Sequence, residues 1–167
     1  HMPDFRAGER TFQLLTQVAG RAGRGEVEGD VFVQSFTPFH AAIQYARRHD
    51  YLGFYEQEME FRKDTDYPPT SRMAMITLKG KNEEKLKISG NHLKSVIEGI
   101  REEIKDLALA GPSPAPLERA ENFFRYQIML KTKRMSQLSR RLADIHQSTK
   151  LPEGVQTIID IDPVSMH

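Results

Sequence analysis

The sequence contains no cysteine, which removes disulfides and thiolate-rich zinc sites from this stretch of polypeptide and leaves nothing that points to an oxidising compartment. The cytoplasm is the expected location. No apolar run approaches the roughly 20 residues needed to cross a bilayer, so no membrane partner is expected. The N-terminus lacks the basic-then-apolar layout of a signal peptide, and His1-Met2 reads as a cloning remnant, residues 1–2, ahead of the segment proper. An excess of one charge is also missing: 24 Lys and Arg stand against 23 Asp and Glu, a net of +1. Bulk electrostatics cannot grip a polyanion at that balance, so any nucleic-acid contact must be local. At 167 residues there is room for one substantial core with an appended piece, but not for two large domains.

What is present divides at a double proline. Phe12, Leu14, Leu15 and Val18 recur at near-helical spacing, predicting a helix from Glu9 to Ala19 that runs into Arg21. Gly23 to Gly29 is turn-rich, and Val31-Phe32-Val33 is a buried-strand candidate ending near Pro38. Two helices should follow, Phe39 to His49 and Asp50 to about Lys63, the second with Leu52, Tyr55 and Met59 on its apolar stripe. His49 and Asp50 read as the pair at the boundary between them. Asp66-Tyr67-Pro68-Pro69 ends the second helix, because successive prolines remove donors and push Tyr67 out of the helical region.

Beyond the prolines the period changes from helical to alternating. Ala74, Ile76 and Leu78 share one side of a strand from Arg72 to Lys79, with Met73, Met75 and Thr77 on the other. Leu86, Leu93, Ile97, Ile100 and Ile104 mark a long amphipathic helix, and Leu107 to Ala110 a short strand. Gly111 to Pro116 holds three prolines and is expected to be a rigid connector without regular hydrogen bonding. Phe124, Tyr126, Ile128 and Leu130 then alternate with Arg125, Gln127, Met129 and Lys131, the clearest strand in the chain. Met135, Leu138, Leu142 and Ile145 mark a further helix, and Val155, Thr157, Ile159 and Ile161 a last strand. Strand, helix, strand, strand, helix, strand predicts an α+β fold: a split β-α-β sandwich with the helices on one face of one sheet.

The string with most chemical content is Gln17-Val18-Ala19-Gly20-Arg21-Ala22-Gly23-Arg24. Gln17, Arg21 and Arg24 stand at i, i+4 and i+7, which on a helix face one way. The residues between are small apart from one valine, so a backbone can come close to a bulky polyanion. A guanidinium suits the transition state of phosphoryl transfer because its planar fork matches phosphate oxygens and stays charged. Arginines at a helix end also serve simply to favour the dipole.

The whole string resembles motif VI of superfamily 2 helicases. With Asp4-Phe5-Arg6-Ala7 and Glu9-Arg10-Thr11-Phe12-Gln13-Leu14-Leu15 leading into it, the segment is similar to the second motor lobe of the primosomal replication-restart helicases, the PriA (primosomal protein N′) family. His49-Asp50-Tyr51, Phe54-Tyr55, Glu58, Arg62 and Tyr67-Pro68-Pro69 extend the likeness, as do Gly111-Pro112, Pro114-Ala115-Pro116-Leu117, Arg125-Tyr126-Gln127 and Asp160-Ile161-Asp162-Pro163. Thr70 departs from it, standing where the family usually has an aromatic. The resemblance implies that residues 3–66 are the C-terminal part of helicase lobe 2, with motif VI and linker helices, and that 67–167 are a C-terminal domain that binds DNA and partners. It implies an ATP-dependent helicase, moving 3′ to 5′, that recognises stalled or D-loop forks and restarts replication. Its partners would be forked or single-stranded DNA, the acidic tail of the single-strand-binding protein and primosome proteins.

By residue-wise carry-over, Gln17 and Arg21 belong to an ATP site shared with a lobe outside this chain, and Arg24 is the arginine finger. ATP and Mg belong to the intact protein, and zinc to a cysteine-rich insertion outside this chain. No G-x-x-x-x-G-K-[ST] loop or acidic metal-binding box occurs here, so this chain alone is expected to bind no such cofactor and to be inactive.

A second cluster suggests nucleic acid directly. Arg119, Arg125, Lys131, Lys133, Arg134, Arg140 and Arg141 gather on and after the clearest strand, with Phe123, Phe124 and Tyr126 interleaved. Cations serve phosphates and rings serve bases, although Phe124 and Tyr126 share the apolar strand face and suit a core equally. His40, His49, His92 and His146 have no paired ligand spacing, so no metal site is expected. The competing class is a non-enzymatic nucleic-acid or protein-interaction module in which the Gln17 to Arg24 string is accidental.

Overall fold

A computed structural model describes residues 4–22, 29–120 and 122–164, with the backbone alone over 116–120. The chain divides between Thr65 and Asp66 into two compact units.

The first unit is built from α1 (Ala7–Ala22), α2 (Ala41–Arg47) and α3 (Tyr51–Asp64). Its core is small: Phe12, Ala42, Ala46 and Phe54, flanked by Leu15 and Tyr45. Phe12 and Phe54 stack with centroids 4.4 Å apart. Asp50 caps α3 by accepting the Gly53 N–H at 2.9 Å. His49 takes the left-handed backbone (φ 55°) that turns the chain from α2 into α3, as expected of a boundary pair. Gly53 is required there, since a Cβ would meet both Asp50 Oδ2 and Tyr45 Cε1 at 2.5 Å. Arg62 joins α3 to α1: its guanidinium donates to Glu58 and to Glu9, each at 2.9 Å, with the side chain only 11% exposed.

Two expectations fail in this unit. Val31-Phe32-Val33 is not a strand. A strand needs neighbours for its N–H and C=O groups, and the described elements of this unit are all helices. Phe32 is accordingly 93% exposed rather than buried. The stripe of α3 is also displaced, for Leu52 and Tyr55 are exposed and Phe54 is the buried residue. The small core selects the one ring that stacks on Phe12.

The second unit contains β1 (Arg72–Gly80), α4 (Glu83–Glu98), β2 (Ala108–Ala120), β3 (Phe123–Thr132), α5 (Met135–Ser148) and β4 (Gln156–Ile161). The four strands form one sheet in the order β2-β3-β1-β4, and every neighbouring pair is antiparallel. Insertion of β3 between β1 and β2 splits the β-α-β unit, as the α+β expectation requires. Ala74, Ile76, Leu78, Tyr126, Ile128 and Leu130 form the apolar sheet face, and it packs with Leu86, Leu93, Ile97, Leu138, Leu142 and Ile145 of the helices. Met73, Met75 and Met129, on the other face, are buried as well.

Two boundaries differ from expectation. α4 stops at Glu98, capped through Gly99, and Ile100 and Ile104 reach the core from the following turns. The proline stretch is not a connector but part of β2, which runs to Ala120 with register shifts between Ala110 and Ser113 and between Pro114 and Arg119. Prolines are tolerated because β2 is an edge strand, where a missing N–H costs no ladder bond on the open side. At the start of the unit, Thr70 donates its hydroxyl to the Tyr67 carbonyl at 2.6 Å, closing the turn over the double proline.

Candidate nucleic-acid interface

The α1 string is placed only in part. Gln17 and Arg21 lie one turn apart on α1 and are both exposed. Arg24 lies outside the described residues, and α1 ends at Ala22.

The seven cations of the second unit do not form one patch. Alternation along β3 puts Phe124 and Tyr126 into the helix-backed core, where the Tyr126 hydroxyl donates to Glu83 at 2.8 Å. Phe123, Arg125 and Lys131 fall on the opposite face. Lys131 holds its ammonium 4.3 Å from the centroid of the Tyr67 ring, and burial raises the Tyr67 hydroxyl pKa. Arg125 sits at the far end of the strand, opposite Lys79 of β1. Arg119 pairs in the backbone with Phe124, and its side chain lies outside the description. Arg141 turns to Glu103 (3.1 Å) and Asp144 (3.5 Å), an ion-pair role rather than an open cation.

The remaining three converge at the corner where β3 passes into α5. Lys133, Arg134 and Arg140 wall a cavity of about 500 Å³ together with Arg72, Ser136 and Gln137. The corner is fixed from behind by Asp106. Its carboxylate accepts from the Lys133 N–H at 2.7 Å and from the Thr132 hydroxyl at 3.0 Å. Thr132 Oγ1 in turn accepts the Arg134 N–H at 2.9 Å. Arg134 is the N-cap of α5 and makes no side-chain cap of its own; the relay instead satisfies the Arg134 N–H, one of the donors a helix start leaves without an intrahelical partner. Partial burial alone would raise the Asp106 pKa. The Lys133 and Thr132 hydrogen bonds and the Arg134 charge outweigh that and hold it below the usual carboxylate value.

Arg72 enters the corner from β1 and forms an ion pair with Asp162. Lys133 lies 4.0 Å from Asp66. Among the described residues no carboxylate pairs with Arg134 or Arg140, which leaves two guanidinium groups open to an anionic ligand. Arg72 and Gln137 were not evident as members, since sequence separation hides a corner assembled by strand register. The signal that could have found Arg72 is its place at the start of β1, opposite Thr132.

Among the described residues no three metal-ligating side chains come together, and no helix is long and apolar enough to cross a membrane.

Comparison with known proteins gives this arrangement a context. The pattern described as the primosomal protein N C-terminal domain matches residues 63–164. Over 99% of its length the chain is 38% identical to the replication restart protein PriA of Bacillus subtilis, covering 21% of that protein. The like-named protein of Synechocystis is 36% identical over 98% of the chain and 19% of its own length, and that of Borreliella burgdorferi 34% identical over 99% and 25%. The chain thus spans about a fifth to a quarter of the curated relatives it matches. Since the domain pattern takes in most of the sequence and the likeness to replication restart proteins continues over nearly all of it, the chain belongs to the PriA family.

Proposed function

We propose that the intact protein is an ATP-dependent DNA helicase that moves 3′ to 5′, recognises stalled or D-loop forks and restarts replication, and that this chain alone binds DNA without catalysis. The observation that carries the DNA-binding part is the cationic corner, where Lys133, Arg134, Arg140 and Arg72 wall one cavity of about 500 Å³. Its cations come from the start of β1 (Arg72), the β3–α5 corner (Lys133, Arg134) and α5 (Arg140), so they keep a fixed spacing to successive phosphates. Backbone contacts of this kind position a nucleic acid without reading its sequence, which suits a protein that must act wherever a fork stalls. The acidic tail of the single-strand-binding protein and primosome proteins are the partners that accompany this assignment.

ATP would supply phosphoryl-transfer free energy in the intact protein. Gln17 and Arg21 fit a shared nucleotide site, being exposed one turn apart on α1 with Gly20 between them. There Arg21 would bind phosphate oxygens and Gln17 would orient them; Arg24 is assigned as the finger. Zinc does not fit the residues of this chain, which has no cysteine, and belongs to another part of the intact protein.

The test is fork binding followed by fluorescence anisotropy over a range of salt. Lys133→Ala, Arg134→Ala and Arg140→Ala combined should weaken binding at least ten-fold and flatten the logarithmic salt dependence by roughly 2 to 3. Unchanged affinity and slope would reject the corner. A DNA-stimulated ATPase rate from this chain that Arg21→Ala abolishes would reject the absence of catalysis.

A further inference from the structure

We propose a second DNA contact at the end of the sheet remote from the cationic corner, where a single strand crosses Lys79, Lys81 and Arg125 and lays a base on Phe123. It presupposes that the chain binds DNA, as proposed above, but uses different residues.

Strand register creates the contact. Lys79 of β1 stands directly opposite Arg125 of β3 on one side and Gln156 of β4 on the other. Alternation puts all three on the sheet face away from the helices. Phe123, two residues before Arg125, shares that face. The Lys79 ammonium lies 4.4 Å from the Phe123 centroid and the Lys81 ammonium 5.5 Å from it. Beside them Phe123, Lys81, Lys85 and Asn82 line a cavity of about 280 Å³ that also includes Glu153.

Like charges placed directly across an antiparallel pair destabilise it. Several other cations of this unit are relieved by carboxylates: Lys87 has Glu83 and Glu84, Arg72 has Asp162 and Arg141 has Glu103. Among the described residues no carboxylate comes within ion-pair distance of Lys79, Lys81, Lys85 or Arg125, and Glu153 in the cavity wall pairs with none of them. Cations held together by a ring rather than by counter-charges form a site that an external anion completes. A phosphate backbone supplies a row of such anions, and an unpaired base can stack where the flexible lysines leave the ring. Sheets that bind single strands pair cations with rings that take bases in this manner; here Met75, Gln127 and Met129 are buried further along the same face, so the contact is confined to this end of the sheet. Stacking on the Phe123 ring needs an unpaired base, and this favours a single strand.

The chain contains no tryptophan, so Phe123→Trp places one indole probe at the site. Titrating that variant with oligo(dT) should quench its emission saturably. Lys79→Ser with Arg125→Ser should lower oligo(dT) affinity on the order of ten-fold. Circular dichroism melts establish that each variant is folded. Emission that stays constant while anisotropy reports bound oligo(dT), or full affinity in the folded Lys79 and Arg125 double variant, overturns the proposal and leaves the corner untouched. Failure of the unaltered chain to bind either oligo(dT) or a fork overturns both.

Discussion

Asp106 organises the candidate interface although it touches no ligand. Two donors from the residues that begin the β3–α5 corner converge on its carboxylate, and its place near the start of α5 lets it favour the positive end of the helix. Its folded-state pKa is lowered, so it contributes stability that is fully present above the unfolded carboxylate value and is lost as pH falls through the lower folded value. Asp106→Asn should therefore reduce the urea midpoint at neutral pH, by no more than about 1 kcal/mol because the group is exposed and screened. The deficit relative to the unaltered chain should shrink as pH drops below the usual carboxylate range. A deficit that stays constant down to pH 2 would show that the charge has no part in it. Nothing in the local sequence marks Asp106, because its partners lie 26 and 27 positions away.

At the scale of elements, α4 meets the Pro112 ring of β2 at Gly90, where the helix has no side chain of its own. A Cβ on Gly90 would come within 2.9 Å of Pro112 Cβ, so the helix rests directly on the proline-bearing edge strand. Gly90→Val should push the two apart and cost about 1–3 kcal/mol. By contrast Gly20→Ala, where nothing lies within 4 Å, should stabilise α1 by up to about 1 kcal/mol. Urea unfolding of both variants checks the contrast, and equal stability for Gly90→Val would mean that the contact is not required.

The same elements show how far sequence reading reaches. β1, β3, α5 and β4 were legible because the residues that each turns to the helix-backed core recur with an unbroken period. β2 was misread at its prolines, since an edge position that forgives them is a property of the sheet and not of the segment. The Val31 run was misread because apolar composition promises burial but cannot promise a neighbour. At the interface the cations themselves were visible. Their division between the two ends of the sheet was not, because it follows from cross-strand register and from which ring or carboxylate each one meets.

Across the molecule, the two units have different means of holding together. The helical unit relies on a small aromatic core and the Glu9–Arg62–Glu58 bridge. It also exposes Phe32, Phe36 and Phe39 almost fully, an apolar surface of the kind that promotes association. Light scattering should accordingly show concentration-dependent oligomers that Phe32→Ser with Phe36→Ser reduces; a monodisperse monomer at high concentration would count against this.

The order β2-β3-β1-β4 has a consequence for how the sheet is made. β1 is synthesised first of the four strands yet occupies an interior position, and its Arg72 finds Asp162 only 90 residues later. On the ribosome β1 and α4 emerge well before either strand that hydrogen-bonds to β1. The apolar face of the sheet must stay uncovered or sheltered while the chain grows, and closure of long loops before native contacts form makes such topologies slow to fold. A nascent chain arrested with β4 still inside the exit tunnel should remain open to protease over Arg72–Gly80, and one extended past β4 should become resistant there.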